Sequence, residues 1–252
     1  LKILIVGNGI VGKNMIKIFP DAVVHDPPQG IFCDPQICYD IAFICVPTPC
    51  EEDGKCCTSI VIDAINSVKA RVYCIRSTIS PGTCSRISSE YGKNIVFMPE
   101  YYGETVHANG YKYNFIILGG DRKNTSRVCE AFKSINTGEL KIFQTTFETA
   151  ELVKYMENSF LATKVTFCNE FYRLSSALGV DYNEMRELFV VDPRVGRSHT
   201  LVYADHPYYE SKCLDKDIPA IIQFAKNVGI DMQLMKSVRA TNDTYKKDKG
   251  IK

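Results

Sequence analysis

No apolar run in the sequence approaches the roughly 20 residues that a membrane span needs. Its opening segment, Leu1 to Val6, is a strand-length run with neither a basic flank nor a cleavage site. Neither charge is in excess: 30 Lys and Arg face 29 Asp and Glu, a net charge of +1. Bulk composition therefore offers nothing to grip a nucleic-acid backbone, and an anionic ligand must be met by local groups. Low-complexity tracts, internal repeats and long linkers are also missing. Histidine is scarce, with four scattered residues, and the cysteines form no CxxC pair, so no zinc site follows. What remains is a chain of 252 residues, 45% hydrophobic and 23% charged, enough for one large core or two modest ones. A cytoplasmic protein is expected, with no membrane and no nucleic-acid partner and no metal.

Cysteine, by contrast, is abundant, but eleven is an odd number with no disulfide spacing. Cys38, Cys45, Cys74 and Cys168 sit in apolar runs, where a thiol acts as a small hydrophobe. Cys213 differs, because Lys212 and Lys216 flank it and a helix follows whose first turn is expected to hold Pro219; both features favour thiolate.

Short β-branched runs at Lys2 to Val6, Ala22 to His25, Ile41 to Val46, Val72 to Ile75, Ile95 to Phe97 and Phe115 to Leu118 alternate with helical patterns. That rhythm predicts an α/β fold with a parallel sheet. Crossover helices are expected at Val11 to Phe19, Ser59 to Lys69, Gly82 to Tyr91 and Asn124 to Ile135. One crossover helix is missing, because between Asp26 and Ile41 only a Pro-rich loop fits. From Ala150 to Leu178 good helix formers run without Pro or Gly, Gly179 stands as C-cap, and only helical segments follow. The expected division is a Rossmann-type dinucleotide-binding domain over 1–146 and an all-helical central and dimerisation domain over 147–252. Phe160, Leu161, Val165, Phe167, Cys168 and Phe171 exceed one apolar stripe, which predicts a homodimer built on this helix.

Gly7-Asn8-Gly9-Ile10-Val11-Gly12 follows a strand at once and opens a helix, the setting in which GxGxxG binds a dinucleotide. Gly7 permits the tight turn, Gly9 lets a pyrophosphate approach the helix N-terminus, and Gly12 lets helix and strand pack closely. Asp26 ends the second strand, where its carboxylate can accept both ribose hydroxyls and repel a 2'-phosphate, favouring NAD over NADP.

Four further segments set polar groups in apolar company: Arg76 to Gly82, Met98 to Glu104, Glu151 to Asn158 and Lys212 to Asp217. Lys154 and Asn158 share a helix face, and Glu100 follows the fifth strand, where a parallel sheet places ligands.

In this order, the segments resemble the UDP-glucose/GDP-mannose dehydrogenase family, whose members oxidise a sugar-nucleotide alcohol to a carboxylate with two NAD. The matching stretches are Gly7 to Gly12, Cys45-Val-Pro-Thr-Pro49, Ser77 to Gly82, Pro99-Glu100 with Glu104, Ala150 to Lys154 with Asn158, Asp192-Pro-Arg-Val-Gly196 and Lys212 to Asp217. The resemblance implies that Cys213 is the nucleophile and that Lys154 and Asn158 stabilise an oxyanion. By the same resemblance Asp217 and Thr78 position water, and Glu100, supported by Glu104, activates it. It further implies cofactor contacts at Val46, Pro47, Thr48, Thr78 and Glu104, and substrate contacts at Glu100, Tyr101, Tyr102, Lys154, Asn158, Arg194 and Lys212. A nucleotide sugar is the implied partner, with members acting on UDP-glucose the nearest in pattern.

Three differences accompany the resemblance, one of them the shortened segment after Asp26. Where the family carries a glycine-rich loop, this chain reads Tyr208-Tyr-Glu-Ser-Lys212, with bulk and negative charge on the expected path of sugar and phosphate. The chain is also expected to lack the family's C-terminal nucleotide-contacting domain, since 232–247 resembles the helix that leads into it. Two other readings share the architecture: a single hydride transfer on a 3-hydroxy acid, which has no use for Cys213, and a degenerate NAD-binding homodimer without turnover.

Overall fold

A computed structural model describes residues 1–51, 56–101, 114–135, 138–211 and 213–251. These fall into two compact units, Leu1–Lys154 and Tyr155–Lys252.

The first unit is built on a seven-stranded sheet. Its strands are β1 (Ile3–Val6), β2 (Val23–His25), β3 (Cys38–Ile44), β4 (Lys69–Ile75), β5 (Ile95–Phe97), β6 (Phe115–Gly119) and β7 (Lys141–Thr145), in the order β2-β1-β3-β4-β5-β6-β7. Helices α1 (Ile10–Ile18), α2 (Ser59–Ser67), α3 (Thr83–Tyr91) and α4 (Arg122–Ser134) cover it. Successive side chains of a strand point to opposite faces, so the covered parts of the central strands, Ile41 to Ile44 of β3 and Val72 to Ile75 of β4, are apolar and feed two cores. Leu4, Ala42, Ile44, Tyr73 and Ile75 pack with Val61, Ile65 and Ile87 of α2 and α3. Ile5, Phe43, Val72 and Cys74 pack with Met15 of α1, its C-cap Phe19, and Val128 and Phe132 of α4.

The expected crossovers all form, and β2 returns to β3 through a 3-10 turn, Pro27–Gln29, with no α-helix, as the Pro-rich loop requires. The sheet is parallel as expected apart from one pairing, and it holds one strand more than the sequence pattern predicts. β5 pairs with β6 antiparallel through Phe97 and Gly119, and β7, absent from the expected strands, pairs parallel with β6. β7 reads Lys-Ile-Phe-Gln-Thr, too polar and too exposed to signal a buried strand.

The second unit is helical: the C-terminal part of α5 (Phe147–Ala177), then α6 (Tyr182–Phe189), α7 (Leu214–Asn227) and α8 (Gln233–Asp248). α5 begins where the domain boundary is expected, yet packing divides the chain inside this helix, after Lys154. Glu151 explains why the first turns belong with the sheet: its buried carboxylate accepts the N–H groups of Gly82 and Cys84 at 2.6 and 2.9 Å, holding α5 to the start of α3. Ala162, Tyr209, Leu214, Ile218, Met235 and Val238 form one core cluster of the second unit, and Tyr155, Ala220 and Ile221 form another. Among the described residues no helix is long and apolar enough to cross a membrane.

Candidate active site

In the first unit the site grows from the C-terminal ends of β1, β3, β4 and β5. The strand order reverses about β1, whose neighbours are β2 on one side and β3 on the other, and open α/β sheets bind ligands at such a switch. Gly7 has φ +96°, and a Cβ there would lie 2.6 Å from the Cys45 carbonyl oxygen. A Cβ at Gly12 would come within 1.9 Å of the Gly7 carbonyl oxygen. A Cβ at Gly9, the N-cap of α1, meets nothing within 4 Å. Two glycines are thus needed by the protein itself, and the third leaves open space over a helix N-terminus, where backbone N–H groups and the helix dipole attract phosphate. Asp26 is buried, and its carboxylate accepts the Asn8 N–H at 2.6 Å, the Gln29 side chain at 3.1 Å and the Gln29 N–H at 3.3 Å. A carboxylate has about four acceptor positions, so this tie to the glycine loop leaves capacity for a ribose hydroxyl. These residues fit a dinucleotide.

The loops after β3 and β4 are bonded to each other. Thr48 Oγ1 donates to the Thr78 carbonyl at 2.7 Å, and Ser77 Oγ donates to the Val46 carbonyl at 2.6 Å. Val46 to Thr48 and Thr78 therefore form one rigid rim. Behind it Arg76 and Glu100 make a buried ion pair, and Glu100 Oε1 also accepts the Tyr101 N–H at 2.8 Å. Burial works against the Arg76 charge, but the facing Glu100 more than offsets it and raises the guanidinium above its ordinary value. Lys154 Nζ stands 5.1 Å from the centre of the Tyr101 ring. Thr78, Glu100, Tyr101 and Lys154 thus belong to the first unit, with Glu100, Tyr101 and Lys154 linked in sequence.

Asn158, Cys213 and Asp217 belong to the second unit. Asn158 Nδ2 donates to Asp217 Oδ2 at 2.6 Å, and Lys216 Nζ reaches Asp217 Oδ1 at 2.5 Å, which leaves the almost fully buried carboxylate compensated. Cys213 has helical φ and ψ at the head of α7, and its carbonyl accepts the Asp217 N–H at 2.9 Å. Ser211 caps this turn: its Oγ accepts the Leu214 N–H at 2.9 Å, and Asp215 reaches back to the Ser211 N–H at 3.0 Å. The exposed thiol of Cys213 accordingly sits at a helix N-terminus, where the dipole favours thiolate. Pro219 is not in the first turn of α7 as expected but lies inside the helix, the sixth residue from Leu214.

Burial sets several of the other thiols apart. It pushes Cys45 up to about 12 against the pull of Arg76, and it raises Cys74, Cys84 and Cys168 as well. The bulk that precedes Cys213 turns inward. Tyr208 and Tyr209 are buried, and the Asn242 side chain bonds both the N–H and the carbonyl of Tyr209, at 2.8 and 3.1 Å, while Glu210 is exposed. Arg194 is almost fully exposed and pairs with Asp192. Tyr102, Glu104 and Lys212 lie outside the described residues. Arg76, Glu151 and Asn242 are additions that sequence reasoning did not assign, because each acts through a partner distant in the chain.

The first unit is thus a doubly wound dinucleotide-binding fold, and the second is a helical unit with a thiol at a helix N-terminus. The chain belongs to the UDP-glucose/GDP-mannose dehydrogenase family: residues 36–136 match the family's NAD binding domain and residues 148–244 its central domain. Its cofactor is NAD. UDP-glucose 6-dehydrogenase of Rickettsia prowazekii is 29% identical over 216 residues, which are 81% of this chain and 49% of that protein. UDP-N-acetyl-D-mannosamine dehydrogenase of Methanocaldococcus jannaschii is 30% identical over 218 residues, 81% of this chain and 48% of that protein. The chain thus spans about half the length of these relatives. A UDP-glucose dehydrogenase structure from Pyrobaculum islandicum superposes with a TM-score of 0.79 at 23% identity, covering 96% of this chain and 68% of that one, a likeness of fold.

Proposed function

We propose that the chain carries the cofactor-binding and catalytic parts of a nucleotide-sugar 6-dehydrogenase, most like those acting on UDP-glucose, which takes a C6 alcohol to a carboxylate. The observation that carries this reading is the second unit's grouping of Cys213 at the head of α7 with the Asn158–Asp217 hydrogen bond one helical turn away. NAD, when bound, supplies the hydride acceptor. Removing a second hydride requires a tetrahedral adduct of the aldehyde, and the Cys213 thiolate provides it as a thiohemiacetal, which becomes a thioester on oxidation. Glu100 then takes a proton from a water positioned by Thr78 and Asp217, while Lys154 and Asn158 donate to the oxyanion. Glu104 supports Glu100, and Tyr101, Tyr102, Arg194 and Lys212 contact the substrate.

The test is the count of NADH formed per sugar with a panel of nucleotide sugars. Two per carboxylate is expected; one would favour hydroxy-acid chemistry and none a degenerate binder. Cys213→Ala should keep NAD binding and lose carboxylate, and Glu100→Gln should accumulate a thioester on Cys213 detectable by intact mass.

The same reading includes a homodimer through α5. Met156, Phe160, Phe167, Phe171 and Leu174 are all exposed and lie within an arc of about 60° at 3.6 residues per turn, whereas Val165 packs against the core and Cys168 is buried. A second copy presenting the same stripe would cover it.

A further inference from the structure

The loop after β3 carries three cysteines that the mechanism does not use: Cys50, Cys56 and Cys57. Cys50 and Cys56 oppose each other in an isolated antiparallel bridge. The Cys57 N–H donates to the Pro49 carbonyl at 2.9 Å, a bond that flanks the pair and does not join it. Cys50 and Cys56 therefore occupy a non-hydrogen-bonded position, where opposed Cα atoms lie about 4.5 Å apart and both side chains leave the same face. Disulfides span Cα separations of about 4.4 to 6.8 Å. Cys57, one residue on, is turned to the opposite face by the pleat, and its sulfur lies 3.1 Å from Ser59 Oγ.

Both sulfurs of the pair are thiols here. Cys50 is exposed and donates to the Glu51 carbonyl at 3.5 Å, whereas the half-buried Cys56 donates to the Thr78 carbonyl at 3.3 Å. That carbonyl is the one that also accepts Thr48 Oγ1, so the thiol of Cys56 is part of the bonding that fixes the rim of the cofactor site.

We infer that Cys50 and Cys56 form an oxidative modification site, a dithiol that a hydroperoxide converts to a disulfide and whose state sets how firmly the loop after β3 holds NAD. The Cys50 thiolate attacks one peroxide oxygen, displacing hydroxide and leaving a sulfenic acid. The Cys56 thiolate then attacks the Cys50 sulfur and releases a second hydroxide. Two thiol protons convert both hydroxides to water, so the dithiol loses two electrons and the O–O bond gains them. Oxidation removes the Cys56 S–H and with it one of the two donors to the Thr78 carbonyl.

The inference rests on the cofactor reading of Thr48 and Thr78, and the test separates the two. The chain is treated with hydrogen peroxide, mapped by peptide mass spectrometry, and titrated calorimetrically with NAD before oxidation, after it, and after dithiothreitol. A Cys50–Cys56 linkage with the loss of two hydrogens is expected. NAD affinity should weaken roughly two- to tenfold, the worth of one hydrogen bond, and should recover on reduction. Cys50→Ser and Cys56→Ser should abolish the change, and Cys57→Ser should retain it. Oxidation of Cys50 to sulfinic acid without linkage, linkage to Cys57, or a linked protein that binds NAD as the reduced one does would overturn the inference. Failure of the reduced protein to bind NAD would instead sink the cofactor reading, and the peptide map would still judge the pair.

Discussion

Arg76 and Glu100 are each less than one-tenth exposed, and Arg76 Nε and Nη1 have no acceptor among the described residues. Removing one member of such a pair leaves a buried charge uncompensated, which costs about 3 to 5 kcal/mol. Arg76→Met should therefore destabilise the first unit by that amount in urea unfolding, and adding Glu100→Gln should restore much of it. Glu151 supplies a pH signature. Burial raises its carboxyl above the ordinary glutamate value, against the two N–H bonds that lower it. A carboxyl raised on folding adds stability that is full below its unfolded value of about 4.3 and is lost as pH rises through the folded value. The stability profile should carry that component, and Glu151→Gln should lack it. At this scale the sequence exposes positions and hides partners. Glu100 is legible from its place after β5, but Arg76 lies 24 residues away and Glu151 lies 67 residues from Cys84, separations that no local pattern encodes.

At the scale of elements, periodicity reads well wherever one face is buried. β1 and the C-terminal halves of β3 and β4 are continuous apolar runs because helices cover both of their faces, and all four crossover helices follow from their stripes. β7 escapes because its sequence alternates weakly, with Phe143 exposed. α5 carries the most consequential surplus, since its outward apolar stripe stays exposed. Phe167, whose ring stands 4.8 Å from that of Phe171 and 6.3 Å from that of Phe189, lies at the centre of the stripe. Phe167→Glu should convert a dimer to a monomer in analytical ultracentrifugation at micromolar concentration while the helical circular dichroism persists. A wild-type monomer under the same conditions would remove the dimer from the proposal.

At the scale of the whole chain, composition separates an α/β part from a helical part. The division falls inside α5 because one helix can change the partner it buries without changing its own pattern. NAD should bind far more tightly than NADP in calorimetric titration, because a 2'-phosphate would meet the Asp26 carboxylate. Asp26→Asn should narrow the difference and weaken NAD itself, since the same carboxylate holds the Asn8 N–H. The turn that replaces a crossover helix has a separate effect on how molecules meet. β2 stops after three residues; Asp26 and Ile31 fold the chain back on itself, and Pro27 and Pro28 offer no N–H. An edge so short and so poor in donors cannot template a strand from a neighbouring molecule, so the margin of the sheet beside the cofactor is protected against edge-to-edge aggregation.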